Sequence, residues 1–257
     1  MRLPRLLTTL VALSTLACGA AAEDNPTQDH HPTRSSAMTQ TITFQPGKVY
    51  EVTGIWVKPG KGQDLANYFN KVFPIAAKDY GVKPLFGLEP VNVYSGDFQP
   101  HVFFVNEWPS LDHFKRFVDD PRAKALFPER DAVTERLVVT QYQVPEAREV
   151  TLKDGDVIEF AAMWVKPGKE SQLGAYYKKA FGIAMQNGIK PMTPLKAVFS
   201  YSGDFNPTNA GLNLWGTLDN FKAFERAAAS HFPQRDDALS RLEVTQAKVR
   251  FQSAEGQ

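Results

Sequence analysis

Several side chains able to do chemistry occur twice in this chain, at matching places in two similar stretches of sequence. Glu51 and Glu159 lie in two strand-like runs, Val49-Val57 and Val157-Val165, on the face opposite Trp56 and Trp164. A carboxylate held in an apolar pocket has its charged form disfavoured, so its pKa rises and it can act as a general base. The plain alternative is a solvent-facing Glu near the start of a strand. Asn106 and Asn213 match each other beside Trp108 and Trp215. An amide there could orient a carbonyl or enolate oxygen, or simply close an internal hydrogen bond. Gln141 and Gln246, in the last strand-like run of each stretch, carry the same two readings. Glu51, Glu159, Asn106 and Asn213 are the catalytic candidates.

Arginines recur as well. Arg130-Asp131 returns as Arg235-Asp236, and Arg136 returns as Arg241. A guanidinium can hold a substrate carboxylate through two bonds; it can equally tie the loop after the second helix to the sheet. Trp56, Trp108, Trp164 and Trp215 form two equivalent pairs, suited to core packing or to lining an aromatic pocket. The copies diverge at Phe104 and Gly211, at Tyr142 and Ala247, and at Phe86-Gly87 and Thr193-Pro194. A pocket is therefore expected in the half with the smaller residues. Its ligand-binding candidates are Trp56, Trp164, Gly211, Ala247, Gln246 and Arg241.

His101, His113 and His231 do not repeat and show no ligand spacing, which argues against a zinc or non-haem iron site. A lone haem-ligand or acid/base role stays open for His113 and His231. The folded region has no glycine-rich phosphate loop, no serine elbow and no cysteine. No metal and no cofactor is expected.

These residues must be positioned by the elements of the repeat. Trp56-Val57-Lys58-Pro59-Gly60-Lys61 returns as Trp164-Val165-Lys166-Pro167-Gly168-Lys169, and Tyr94-Ser95-Gly96-Asp97-Phe98 returns as Tyr201-Ser202-Gly203-Asp204-Phe205. Each copy opens with a short extended piece and a turn, then the first long strand, which Lys-Pro-Gly-Lys breaks. A helix follows, carrying Leu65, Tyr68, Phe69, Val72, Phe73 and Ala76 on one stripe, matched by Leu173, Tyr176, Tyr177, Ala180, Phe181 and Ala184. Gly81 and Gly188 stand where a helix stop belongs. A second strand, a Ser-Gly-Asp-Phe-x-Pro turn, a third strand, a helix capped by Ser110 or Thr217, and a fourth strand complete the unit. The order is βαββαβ, the ferredoxin-like split unit. The predicted fold class is α+β: two such repeats, residues 39–146 and 147–251, closing one body around a pseudo-twofold axis. The short connection at Pro145-Arg148 suits one packed body, and a fused pair is expected to be a monomer.

The chain has 257 residues, 43% hydrophobic and 12% aromatic, enough for a sizeable core. Its 29 basic and 28 acidic side chains give a net charge of +1, which argues against a nucleic-acid partner. Residues 1–22 read as a signal peptide, with Arg2 and Arg5 ahead of the apolar run Leu6 to Leu16. Thr15-Leu16-Ala17-Cys18 resembles a bacterial lipoprotein box, and lipidation of Cys18, the only cysteine, is the leading expectation. Cleavage near Ala20-Ala21-Ala22 is the alternative, and Met38 could start a cytosolic form. Residues 19–38 read as a disordered polar linker. Localisation is expected in the cell envelope, as a periplasmic or outer-membrane lipoprotein, with secretion as the alternative. Any membrane contact would be through the N-terminal anchor.

Glu107-Trp108-Pro109-Ser110-Leu111, then Phe117-Val118-Asp119-Asp120-Pro121 and Arg130, resemble the domain-of-unknown-function family 1330. The second copy matches less well, with Leu214 in place of Glu107 and no Asp-Asp-Pro. The resemblance implies the dimeric α+β barrel superfamily, which includes cofactor-free oxygenases, isomerases, dehalogenases and haem degraders. A fold shared by such varied chemistry assigns none of it. Three functions are carried forward. The leading one is a barrel that binds a small apolar or aromatic molecule, without an assigned reaction. The second is a cofactor-independent monooxygenase or isomerase using Glu51 or Glu159 with Asn106 or Asn213. The third is a structural scaffold.

Overall fold

The computed structural model describes residues 38–251; the expected signal peptide, Cys18 and the expected linker up to residue 37 lie outside the described residues. The first half runs β1 (Thr39–Phe44), β2 (Val49–Val57), α1 (Gly62–Tyr80), β3 (Lys83–Ser95), β4 (Val102–Trp108), α2 (Leu111–Asp119), α3 (Pro121–Lys124), α4 (Phe127–Val133) and β5 (Thr134–Gln143). The second runs β6 (Arg148–Lys153), β7 (Val157–Val165), α5 (Glu170–Gln186), β8 (Lys190–Ser200), β9 (Asn209–Gly216), α6 (Leu218–Ala228), a 3₁₀ turn (Ala229–His231), α7 (Phe232–Ala238) and β10 (Leu239–Arg250).

Eight strands close an antiparallel barrel in the order β10-β3-β4-β2-β5-β8-β9-β7. The four strands β3-β4-β2-β5 are followed by β8-β9-β7-β10 in the same internal order, and β5·β8 and β10·β3 pairing closes the ring. β1 and β6 form a separate two-stranded ribbon whose Ile42, Phe44 and Leu152 join the core inside the barrel. Three short helices appear where sequence reading expected a loop after each second helix. Pro121, Pro128 and Pro233 stand in their first turns, where a proline loses no helical hydrogen bond.

Strand alternation sends β2 residues Tyr50, Val52 and Trp56 inward, and Glu51, Thr53, Ile55 and Val57 toward the helices. The barrel interior is filled. The turn phenylalanines Phe98 and Phe205 enter it from the two repeated turns and meet at 5.1 Å between ring centroids, with Phe103 and Phe160 packed around them. Gly54 makes room for this plug: a Cβ there would lie 2.9 Å from Phe98 Cζ. Buried Glu243 secures the first turn by accepting the N–H groups of Asp97 at 2.8 Å and Phe98 at 3.0 Å. The outward face of the sheet is covered by α1 to α4 in the first half and by α5 to α7 in the second.

Candidate active site

Both repeated glutamates lie between sheet and helices, buried rather than facing solvent, with 6% of Glu51 and 8% of Glu159 exposed. β2 places Glu51 opposite Asn106 of β4 and Gln141 of β5. Glu51 accepts from Asn106 Nδ2 and Trp108 Nε1 at 3.1 and 3.0 Å, and from Thr53 Oγ1 and Gln141 Nε2 at 3.0 and 3.2 Å. β7 repeats the arrangement: Glu159 accepts from Asn213 Nδ2 at 3.0 Å, Trp215 Nε1 at 3.3 Å and Gln246 Nε2 at 3.4 Å. Ala161 stands at the position of Thr53, so Glu159 has one donor fewer. Burial pushes both carboxyls above the usual carboxylate range, and the neutral donors pull only part of the way back. Of the two readings of Asn106 and Asn213, the internal hydrogen bond is the one present: both amides donate to the buried carboxylates.

A cavity of about 210 Å³ opens against Glu159 in the second half. Glu159, Asn213 and Trp215 form its floor, α5 contributes Tyr176, Tyr177 and Phe181, and α6 contributes Phe221 and Phe224. Arg235 from α7 and Tyr94 from β3 complete the polar part of the wall. The Arg235 guanidinium lies 4.4 Å from the Phe232 ring centroid, its Nε bonded to Asp236 at 2.8 Å and its Nη2 3.5 Å from the Tyr94 hydroxyl.

The cavity exists because three side chains shrink relative to the first half. There Thr53, Val72 and Phe104 occupy the space between sheet and helix, with Phe104 edge-on to Phe69 at 5.9 Å. Ala161, Ala180 and Gly211 take their places. Without the larger neighbours, Tyr177, Phe181 and Met185 remain 41%, 49% and 50% exposed along α5. The comparison of copies at Gly211 pointed to this half; Ala161 and Ala180 carried the same signal and went unread.

The other candidates lie elsewhere. Trp56 and Trp164 pack on the barrel core beneath Arg136 and Arg241, each guanidinium 4.4 Å from its indole. Arg241 also pairs with Glu243 at 2.9 Å, away from the cavity. Ala247 belongs to the barrel interior. Gly211 pairs with Ala161 in the sheet behind the cavity. Gln246 is fully buried and reaches the cavity through Glu159. His101 Nδ1 accepts the Val57 N–H, and His113 sits in the cap of α2 with Ser110. Among the described residues, no cluster of three or more His, Cys, Asp or Glu could hold a metal, and no helix is long and apolar enough to cross a membrane.

No family model and no curated protein matches this chain. Solved structures do resemble it. An anthrone oxidase-like protein superposes with a TM-score of 0.60 at 12% identity, covering 85% of this chain and 98% of its own. A putative monooxygenase of Fusobacterium nucleatum gives 0.50 at 11%, covering 82% and 97%. A putative chlorite dismutase gives 0.50 at 10%, covering 79% and 95%. The shared fold is a mixed α+β one with a closed eight-stranded barrel and helices outside it. At such identities the likeness is one of fold. Within this α+β barrel, a ligand-sized space lies between sheet and helices, while phenylalanines pack in the interior.

Proposed function

We propose that the second-half cavity binds a small, flat, largely apolar molecule bearing an acidic C–H or O–H, and that Glu159 takes its proton. One observation carries this reading: a buried carboxyl, hydrogen-bonded only by neutral donors, lies in the wall of a largely aromatic and aliphatic cavity whose other charged member is Arg235. Burial raises its basicity toward neutral pH, where a general base works best. The enolate or phenolate oxygen formed would face Arg235 and the hydroxyls of Tyr94 and Tyr176, which favour developing negative charge. Such a carbanion can react directly with dioxygen. In the oxidation of a CH₂ flanked by aromatic rings to a ketone, one oxygen atom stays on carbon and the other leaves as water with the two hydrogens. The carbon itself supplies the electrons. The fold neighbours named for anthrone oxidase and monooxygenase activity support this course.

We further propose that the chain is a fused pseudo-dimer, acts as a monomer and is exported with Cys18 as its lipid anchor. The repeated strand order supports the first point, and residues 2–18 support the last. The motif around Glu107 to Pro121 supports kinship with domain-of-unknown-function family 1330.

Anthrone is a suitable probe. Saturable quenching of tryptophan fluorescence reports occupancy beside Trp215, and anaerobic hydrogen–deuterium exchange at the acidic carbon reports proton transfer apart from any oxygen step. Glu159→Gln is expected to keep the quenching and lose exchange by on the order of 10²-fold or more. Unchanged exchange in the variant would overturn Glu159 as the acceptor, and absence of quenching would overturn the proposed ligand class.

A further inference from the structure

The residues around Glu159 form a row across four strands. Gln246 of β10 stands opposite Asn92 of β3 on one side and Glu159 of β7 on the other. Glu159 in turn stands opposite Asn213 of β9. Asn92 Nδ2 donates to Gln246 Oε1 at 2.6 Å, and Gln246 Nε2 donates to Glu159 Oε2 at 3.4 Å. A carboxamide has one accepting end and one donating end. Engaging Oε1 from β3 therefore commits Nε2 to β7.

The first half contains the same row with one member changed. Asn106, Glu51 and Gln141 follow in register across β4, β2 and β5, and the next strand, β8, brings Phe199 opposite Gln141. Phe199 offers no donor, and Gln141 Oε1 is buried without a hydrogen-bond partner. The row is thus completed around Glu159, where the cavity is, and left open around Glu51.

We infer that Asn92, a residue of the first half, is a positioning residue for Glu159 that fixes which end of the Gln246 amide meets the carboxylate. As a role in proton transfer this rests on the reading of Glu159 as acceptor; as a hydrogen-bond relay it stands independently. With the donating end toward it, the ionised carboxylate is favoured. With the amide reversed, Gln246 Oε1 would instead accept from a protonated carboxyl. The other titratable groups near Glu159 are Arg235 on α7, Tyr176 and Tyr177 on α5, and Tyr94 on β3. None of them touches Asn92 through the relay.

The test is a titration of the full chain with ¹³C-labelled glutamate carboxyls, assigned through Glu159→Gln and Glu51→Gln. Asn92→Leu removes the hold on the amide, and Asn92→Asp offers only an acceptor, which turns the Gln246 donor away from Glu159. The Glu159 midpoint is expected to rise by roughly one pH unit in Asn92→Leu, and further in Asn92→Asp, with the Glu51 midpoint unmoved. The reciprocal variant Phe199→Asn supplies the missing donor in the first half and is expected to lower the Glu51 midpoint. An unmoved Glu159 midpoint in the Asn92 variants overturns the inference. Should those variants fail to fold, an unmoved Glu51 midpoint in Phe199→Asn overturns it. No ligand enters the measurement, so a moved midpoint upholds the relay and an unmoved one refutes it, whether or not anthrone binds.

Discussion

Replacing Glu159 by glutamine will halve the steepness with which stability falls above about pH 4.3, where an unfolded glutamate releases its proton. Glu51 and Glu159 are buried, and both carboxyls are raised by desolvation. Below the unfolded pKa, folded and unfolded chains both hold these protons, and neither glutamate penalises folding. As pH rises, the unfolded chain releases them first, so stability is lost progressively until the folded carboxyls also ionise. In that window each retained proton contributes a slope of about 1.4 kcal/mol per pH unit, or about 2.7 for the two together. Asp120 and Asp237 are held below the usual range by hydrogen bonds, chiefly to Arg122 and Gln172, so their contributions are complete at lower pH. Glu159→Gln should leave the Glu51 slope alone, about 1.4 kcal/mol per pH unit. It should also add a pH-independent loss of about 1–3 kcal/mol. A glutamine cannot accept from Asn213 on one side and from both Trp215 and Gln246 on the other, so a buried donor loses its partner. Urea unfolding at half-unit steps from pH 4 to 7 separates slope from offset. Equal slopes in wild type and variant would refute the reasoning, because Glu159 would then be ionised throughout and its neutral donors would outweigh burial.

Three further outcomes follow from the packing. Glu243→Ala removes the acceptor of two turn N–H groups and the carboxylate paired with the partly exposed Arg241; it should cost about 1–3 kcal/mol in chemical unfolding. Gly54→Val would drive a side chain against Phe98 and should cost about 1–3 kcal/mol, with altered near-ultraviolet circular dichroism as the plug shifts. Ala161→Thr combined with Ala180→Val restores the first-half residues at the cavity wall. The pair should weaken anthrone quenching at least tenfold while thermal stability holds or rises, since each added buried methyl contributes about 0.8 kcal/mol.

The elements were largely legible because the periodicities are strong and occur twice. The stripe from Leu65 to Ala76 lies on α1, and Ser110 and Thr217, read as caps, accept the N–H groups of His113 and Asn220 at the starts of α2 and α6. The site was legible only in part. Alternation set Glu51 opposite Trp56, but nothing within one strand shows whether helices or water cover that face. The meeting of Glu51 with Asn106, Trp108 and Gln141 depends on register across three strands, which no single segment encodes. Trp56 and Trp164 suited core packing or an aromatic pocket; they pack on the core, where Phe98 and Phe205 from the glycine turns occupy the space they border. Tyr94 begins the first-half copy of the repeated Tyr-Ser-Gly-Asp-Phe motif. Its ring lies 5.4 Å from Phe221 in the second half because β3 runs on along β10.

That pairing of β3 with β10 also fixes when the molecule can mature. Residues Gly87 to Ser95 must wait for Val244 to Arg250 before the ring can close, a wait that spans most of the described chain. β10 also supplies Gln246 and flanks β7, so Glu159 has neither its amide partner nor its barrel wall until β10 is in place. On a ribosome, the first half can gather its helices and sheet early, whereas the cavity half is assembled last, after translation has passed Arg250. The same carboxyl that would act on a ligand is therefore kept from forming a closed, dry site on an unfinished chain.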